Sequence, residues 1–401
     1  MKRRTIWILA GIAFFVCVVP VIQKWRDSRP RHGPPPSRQV CEEWARKVER
    51  TISAGDPSFL DGTLDMRAVW ETATDGLNFS RADRKTFMDS VMKGDVAELG
   101  KNICEALNGE GSYKFLRLVK DRGRLVARFR MYSGQGMNYH DYLLASDTKG
   151  QVVAVDLYIY SLGENLSQTF HRVASVAAAE GKTAGGGKGG LVEGSRRAKA
   201  MARHFREGKA EEALQDYDSL PAALKQEKSV MLLRVTAAGQ VSDDLYASAL
   251  EEYQQRFPDD ASADLVSIKL LFLKGKFDEV HKALDRLEAQ VGADAALDRW
   301  RANCWMSMDD LPKAREAALR AVREEPDFQD AYWTLVTVAL KQKDFPEVAR
   351  VLTVLEKELK AQLPDLQETP IYADFLKSDE YAKWARSRSD PAGGTRPAAA
   401  P

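Results

Sequence analysis

The chain has 401 residues, of which 44% are hydrophobic and 29% charged, and its net charge is +1. That length accommodates two or three domains, and the composition is that of a chain with enough apolar surface to bury a core, which confines disorder to short segments. The excess of basic residues lies in the first half and of acidic residues in the second, with no concentrated basic patch, so no nucleic-acid partner is expected. Four cysteines make neither a metal-ligand spacing nor a CxxC pair. Cys41 and Cys104 are either a disulfide in an exported chain or two buried thiols.

Residues 1–25 begin with Lys2, Arg3 and Arg4, after which residues 5–22 run without a charge. At ~1.5 Å per helical residue such a run just crosses a bilayer. No Ala-x-Ala site lies near Pro20, and Cys17 follows Val16 where a lipoprotein signal places a small residue. The expectation is an uncleaved signal-anchor helix in a single-pass membrane protein. Its body is expected outside the cytoplasm, in a bacterial periplasm or at the cell surface, although Lys24, Arg26, Arg29, Arg31 and Arg38 oppose the N-terminal charges and leave the orientation open. Residues 26–37 contain RPRHGPPPS, a stiff Pro-rich spacer.

Residues 38–178 read as an α+β domain. Ser37 is placed to cap a helix that carries Val40, Cys41, Trp44, Val48 and Ile52 at spacings of three and four. Further helices are expected over 63–74, from Ser80 onward and over 95–107. The period then changes to two, and four strands are expected over 113–120, 124–132, 138–145 and 151–160, joined by DRG, SGQGM and SDTKG turns into an antiparallel meander. One face collects Tyr113, Phe115, Val119, Leu125, Ala127, Phe129, Met131, Tyr142, Leu144, Val153, Val155, Leu157 and Ile159 for the helices to cover. On the other, Lys114, Arg130, Asp141 and Asp156 form one row, with Arg128, Tyr132, Tyr139, Tyr158 and Tyr160 around them. Two adjacent carboxylates are the equipment of a general acid and base. Because Arg130 flanks them, an ordinary solvated charge ladder is the preferred reading. A helix resumes over 163–178. Helices followed by a four-stranded sheet loosely resemble the cystatin-like and NTF2-like rolls in element order alone.

Residues 179–195 include GKTAGGGKGG, a flexible linker. Beyond it the phrase GKAEEA at Gly208 is echoed by GKFDEV at Gly275, DDLPKA at Asp309 and KDFPEV at Lys343, the last three spaced by 34 residues. Apolar columns recur at the same interval: Tyr246, Val280, Ala314 and Val348; Leu250, Leu284, Ala318 and Leu352; Tyr253, Leu287, Ala321 and Leu355; Ala237, Leu271, Trp305 and Ala339. Units that cannot bury an apolar face alone must stack. Here residues 196–387 resemble the tetratricopeptide repeat (TPR) family, with units at 194–226, 227–260, 261–294, 295–328 and 329–362, a capping helix over 371–386 and a tail over 388–401. The resemblance implies an all-α superhelix whose first helices line a concave groove that takes a protein or peptide segment. Carried onto this sequence, the groove residues are Phe205, Met231, Val235, Leu265, Lys269, Phe272, Arg299, Asn303, Met306, Trp333 and Thr337. Arg299 and Asn303 look like half of a clamp for a terminal carboxylate, with Thr334 where the second Asn is expected.

The fold class is therefore multi-domain: an N-terminal transmembrane helix, an α+β domain with a four-stranded antiparallel meander, and a C-terminal TPR superhelix. The expected function is that of a membrane-anchored, non-enzymatic scaffold, with no cofactor implied. Two alternatives are a small-ligand or enzymatic site on the α+β sheet (Arg130, Asp141, Asp156 and Tyr158) with the repeats as a recruitment module, and a self-associating structural homo-oligomer.

Overall fold

The computed structural model describes residues 32–91, 98–107, 109, 111–133, 136–180, 189–258 and 260–389. They fall into two compact units that divide between Leu270 and Leu271.

The first unit opens with α1 (Arg38–Ser53), whose cap is Ser37 and whose buried stripe is Cys41, Trp44, Ala45, Val48 and Ile52. The single helix expected over 63–74 is instead two, α2 (Ser58–Thr63) and α3 (Met66–Ala73). The break has a cause: Leu64 bridges to Ala154 of the sheet, and the Asp65 amide donates to the Ala154 carbonyl at 2.8 Å, so these two residues leave helical geometry. Asp65 then caps α3. Helix α4 (Arg81–Val91) begins where Ser80 and Asp83 exchange hydrogen bonds in the manner of a capping box, and α5 (Leu99–Leu107) completes the set.

Five strands follow in the order in which they occur: β1 (Ser112–Asp121), β2 (Arg124–Ser133), β3 (Gly136–Ser146), β4 (Val152–Ile159) and the short β5 (Glu164–Asn165). All neighbours are antiparallel. Arg122 and Gly123 both have positive φ, 46° and 83°, which gives the β1–β2 hairpin the two-residue turn that matches strand twist. One face of the sheet packs against α1–α5 and α6 (Leu166–Glu180) through Tyr113, Phe115, Phe129, Met131, Tyr142, Leu144, Leu157 and Ile159.

Three expectations are corrected. First, Leu118, Val152 and Ala154 stand in the core where Val119, Val153 and Val155 were placed. The register shifts between Phe115 and Arg117 and again between Leu143 and Leu144, and one extra residue in a strand moves every later side chain to the opposite face. Second, the sheet has five strands rather than four. Third, no helix among the described residues is long and apolar enough to cross a membrane, so the fold class loses its transmembrane helix and the single-pass membrane localisation goes with it. Residues 1–25, where the anchor was read, lie outside the described residues. Of the Pro-rich segment, Gly33 is docked, its amide donating to the Ser146 carbonyl at 2.9 Å.

The Gly-rich stretch 181–188 lies outside the described residues, and a helix begins earlier than the linker reading allowed, with α7 at Gly189–Arg206. Then come α8 (Ala210–Asp218), the single turn α9 (Ala222–Lys225), α10 (Lys228–Val241), α11 (Asp243–Arg256) and α12 (Ser262–Leu273), within which the first unit ends. Met201, Ala213, Tyr217, Val230 and Ala237 form the core of this helical part.

The second unit contains α13 (Phe277–Val291), α14 (Ala295–Ser307), α15 (Leu311–Glu324), α16 (Gln329–Gln342), α17 (Phe345–Lys357) and α18 (Asp379–Ser389). The columns at 34-residue spacing are its core: Val280, Ala314 and Val348, then Leu284, Ala318 and Leu352, then Leu287, Ala321 and Leu355 are all 0% exposed. The terminal helix starts at Asp379 instead of 371, because Pro370–Tyr372 and Phe375–Lys377 form 3-10 turns and Ser378 accepts the Tyr381 amide as a cap. Phe375 and Trp384 nevertheless close the core as the capping role requires.

Candidate functional site

The polar side of the sheet is not a solvated ladder. Arg130 and Tyr139 are fully buried, and Arg128, Tyr132 and Tyr160 nearly so. Cα register pairs Asp141 with Arg128 and Tyr158, while Arg130 faces Lys114 and Tyr139. The pairing of Arg130 with Asp141 expected from the sequence is two residues out, because β2 and β3 remain paired up to Ser133 and Gly136. Arg128 grips Asp141 in a fork, Nε to Oδ1 at 2.8 Å and Nη2 to Oδ2 at 2.7 Å. The Tyr160 hydroxyl accepts from Arg128 at 2.9 Å and donates to Asp141 at 3.2 Å, closing a ring of three satisfied groups. Burial disfavours charge on a guanidinium, but the hydrogen bonds to Asp141 outweigh it and hold Arg128 above its ordinary pKa.

Asp156 is not beside Asp141. After the β4 bulge it reaches the start of α6, where its carboxylate accepts the Ser167 amide at 3.1 Å and the Ser167 hydroxyl at 2.5 Å. It thus serves as a tertiary cap for orphan groups at a helix N-terminus. Burial pushes its pKa up, opposed by these hydrogen bonds. The two carboxylates of the acid–base hypothesis are engaged separately. Tyr158 turns away to the helices: its hydroxyl donates to Asp260 Oδ2 at 3.0 Å and lies 3.3 Å from Ser262 Oγ. Asp260 also accepts from Tyr253 at 3.1 Å and from the Ser262 amide at 2.8 Å, and forms an ion pair with Lys228.

On the sheet's apolar side, His140 sits in a buried chain. Its Nδ1 is 3.0 Å from the Tyr113 hydroxyl, which meets the Tyr142 hydroxyl at 2.7 Å, while its Nε2 is 3.1 Å from Asn138. Cys41 and Cys104 are both free, and burial pushes the Cys41 thiol up to about 11. Among the described residues, no three His, Cys, Asp or Glu side chains are gathered as metal ligands would be.

The groove residues read from the sequence lie on first helices. Lys269 is exposed on α12, at the end of the first unit. In the second unit Phe272 packs edge-on against Trp300 and Phe277, each at 5.4 Å between ring centres. Arg299, Asn303 and Met306 are half-buried along α14, and Arg299 Nε donates to the Asp330 carbonyl at 3.4 Å. Trp333 is half-buried against the core, and the Thr337 hydroxyl is spent on the Trp333 carbonyl of its own helix. Thr334 likewise bonds back to the Asp330 carbonyl, so it brings no second donor to the carboxylate clamp. Sequence reading missed Trp300, the residue after Arg299. Its indole N–H is buried and has no hydrogen-bond partner among the described residues.

It also missed a charged cleft of about 720 Å³ between α13, α14 and α15, lined by Asp285, Glu288, Asp298, Arg301, Arg320, Arg323 and Glu324. Arg301, 9% exposed, bonds Asp285 at 2.8 Å, Glu288 at 2.6 Å and Asp298 at 3.3 Å. Arg320 reaches the same Asp298 at 3.0 Å. The i, i+3 pair Asp298 and Arg301 was the available signal. With three arginines among four carboxylates, the cleft largely neutralises itself.

No family model matches the chain, and no curated protein matches it. Two similar solved structures are "MamA RS-1 ArsTM double mutant" and "MamA 41-end from Desulfovibrio magneticus RS-1". Each is 18% identical, with a TM-score of 0.36, over 42% of this chain and 94% of the other.

Proposed function

We propose that the protein is a non-enzymatic scaffold that binds a segment of another protein along the first helices of a TPR-type array. The supporting observation is the recurrence itself. Three columns of buried side chains and three left-handed turn residues, Gly275, Asp309 and Lys343, repeat at 34 residues. Stacked units of that kind exist to present an extended surface. On it the half-buried aromatic and polar side chains Phe272, Trp300, Asn303, Met306 and Trp333 are of the type that anchor a peptide.

The reading is tested by capturing partners from a lysate of the source cells on the full chain and on the Trp333→Ala and Trp300→Ala variants. Loss of the same captured protein from both variants, with unchanged circular dichroism, supports the groove. Equal capture by all three chains rejects it. The enzymatic alternative on the sheet has less support, because Asp141, Asp156 and Tyr158 are each already engaged by a side-chain partner. Self-association remains a reading that sedimentation of the full chain decides.

A further inference from the structure

The polar sheet face and the first repeats belong to one compact unit, and three separate contacts bring them together. At the end of β4, the Tyr158 hydroxyl meets Asp260 and Ser262, and Lys228 pairs with Asp260 while its ammonium stands 5.9 Å above the Tyr158 ring and 5.0 Å above that of Phe257. In the turn after β4, Gly163 has φ +65°, and a Cβ built there would stand 2.6 Å from Leu232 and 2.8 Å from Lys228. At α6, Arg172 bonds Glu164 and reaches Glu227 at 3.9 Å.

These helix residues share a position. Lys228 and Ser262 are 34 apart and are each the second residue of a repeat unit, and Leu232 is one turn beyond Lys228. If the helices form a TPR-type array, as proposed above, that is the edge of the first helix that faces the groove. We propose that the α+β domain plugs the N-terminal end of its own array's groove, with the Tyr158–Asp260–Lys228 cluster and the Gly163 contact as the latch. The polar side chains of the sheet are then one half of an intramolecular interface. An external segment is restricted to groove positions further along, or must displace the domain.

The test uses the full chain with a specific protease site placed within residues 181–188. After cleavage, the two pieces of the otherwise wild-type chain are expected to co-elute on gel filtration at micromolar concentration. Gly163→Leu, which forces a side chain into Leu232, and the milder pair Tyr158→Phe with Asp260→Asn are each expected to weaken reassociation at least tenfold, while circular dichroism of the uncut variants stays unchanged. A Leu232→Cys chain is expected to resist maleimide labelling uncut and to be labelled at least tenfold faster with Gly163→Leu present. Separation of the cleaved wild-type pieces, or reassociation and labelling indifferent to both sets of substitutions, overturns the plug. The groove reading falls by a different result: if the pieces hold together and the variants part them, but Trp333→Ala and Trp300→Ala leave partner capture intact, the junction stands and the peptide groove does not.

Discussion

Asp309 and Lys343, 34 residues apart, occupy the same left-handed backbone conformation, with φ of 62° and 58°. Gly275 holds that conformation one repeat earlier, with φ 72°. The turn between paired helices demands it, and only glycine adopts it without a clash between Cβ and backbone. Asp309→Gly and Lys343→Gly are therefore expected to relieve strain at each site. Part of the gain is offset by the greater freedom of glycine in the unfolded chain, leaving a net stabilisation of up to ~1 kcal/mol each. Urea unfolding midpoints measure it, and a lower midpoint for both variants counts against the strain argument.

The Arg128–Asp141 fork is a buried pair, so it costs desolvation but is damaging to break. Arg128→Met leaves the Asp141 carboxylate without its main partner, and a loss of about 3–5 kcal/mol is expected. The double variant Arg128→Met with Asp141→Leu is expected to recover much of it. Chemical denaturation of the single and double variants decides; equal losses in both mean that the Asp141 charge is not what the single variant exposes.

His140 gives the fold a pH dependence. Burial lowers its pKa from 6.5 to about 4, and the groups hydrogen-bonded to its two ring nitrogens, Tyr113 and Asn138, are neutral. Between those values the unfolded chain binds the proton and the folded one does not, so stability falls as pH drops through this window, by roughly 3 kcal/mol in all. His140→Gln is expected to flatten the melting temperature between pH 7 and 4.5, and an unchanged slope in that variant disproves the assignment.

Asp260 acts in a lower window. Burial alone would raise its pKa, but hydrogen bonds from Lys228 and Ser262 prevail and hold it below the ordinary carboxylate value. The groups facing it are Lys228 on α10, Tyr253 on α11, Tyr158 on β4 and Ser262 on α12. Its stabilising contribution is present in full above the unfolded value of about 3.9 and is lost as pH falls through the lower folded value. Hydrogen exchange of α10 is expected to accelerate only in that acid range, and Asp260→Asn is expected to remove the transition.

Periodic features were legible in the chain because they are written as repeated side-chain types: the Ser37 and Ser80 caps, the hairpin order of β1 to β4 and the three columns of the second unit. Features that depend on a single extra residue were not. The shifts at Phe115/Arg117 and Leu143/Leu144 leave Val and Leu on either side, so hydrophobicity does not mark which residue is inserted, and Asp141 and Asp156 were paired wrongly as a result. The burial of Arg128 and Arg130 was hidden for another reason. The partners of Arg128, which are Asp141 and Tyr160, stand on and beyond other strands, and a charged strand face looks solvated until the register that brings such partners together is seen. Trp300 was passed over because an aromatic residue at helical spacing reads as core, and its unpaired indole N–H is visible only in three dimensions.

Helix α15 contributes Ala314, Ala317, Ala318 and Ala321 to the core of the second unit, where α13 and α17 place valine and leucine at most of the equivalent points. Helices that meet through alanine come within about 8 Å of each other, and those that meet through larger side chains stay nearer 10 Å. The repeats therefore share a period but not a thickness. They are not interchangeable modules: grafting the α13 or α17 sequence onto the α15 position would wedge its neighbours apart, and the reverse graft would leave a void, although every column would still read as apolar.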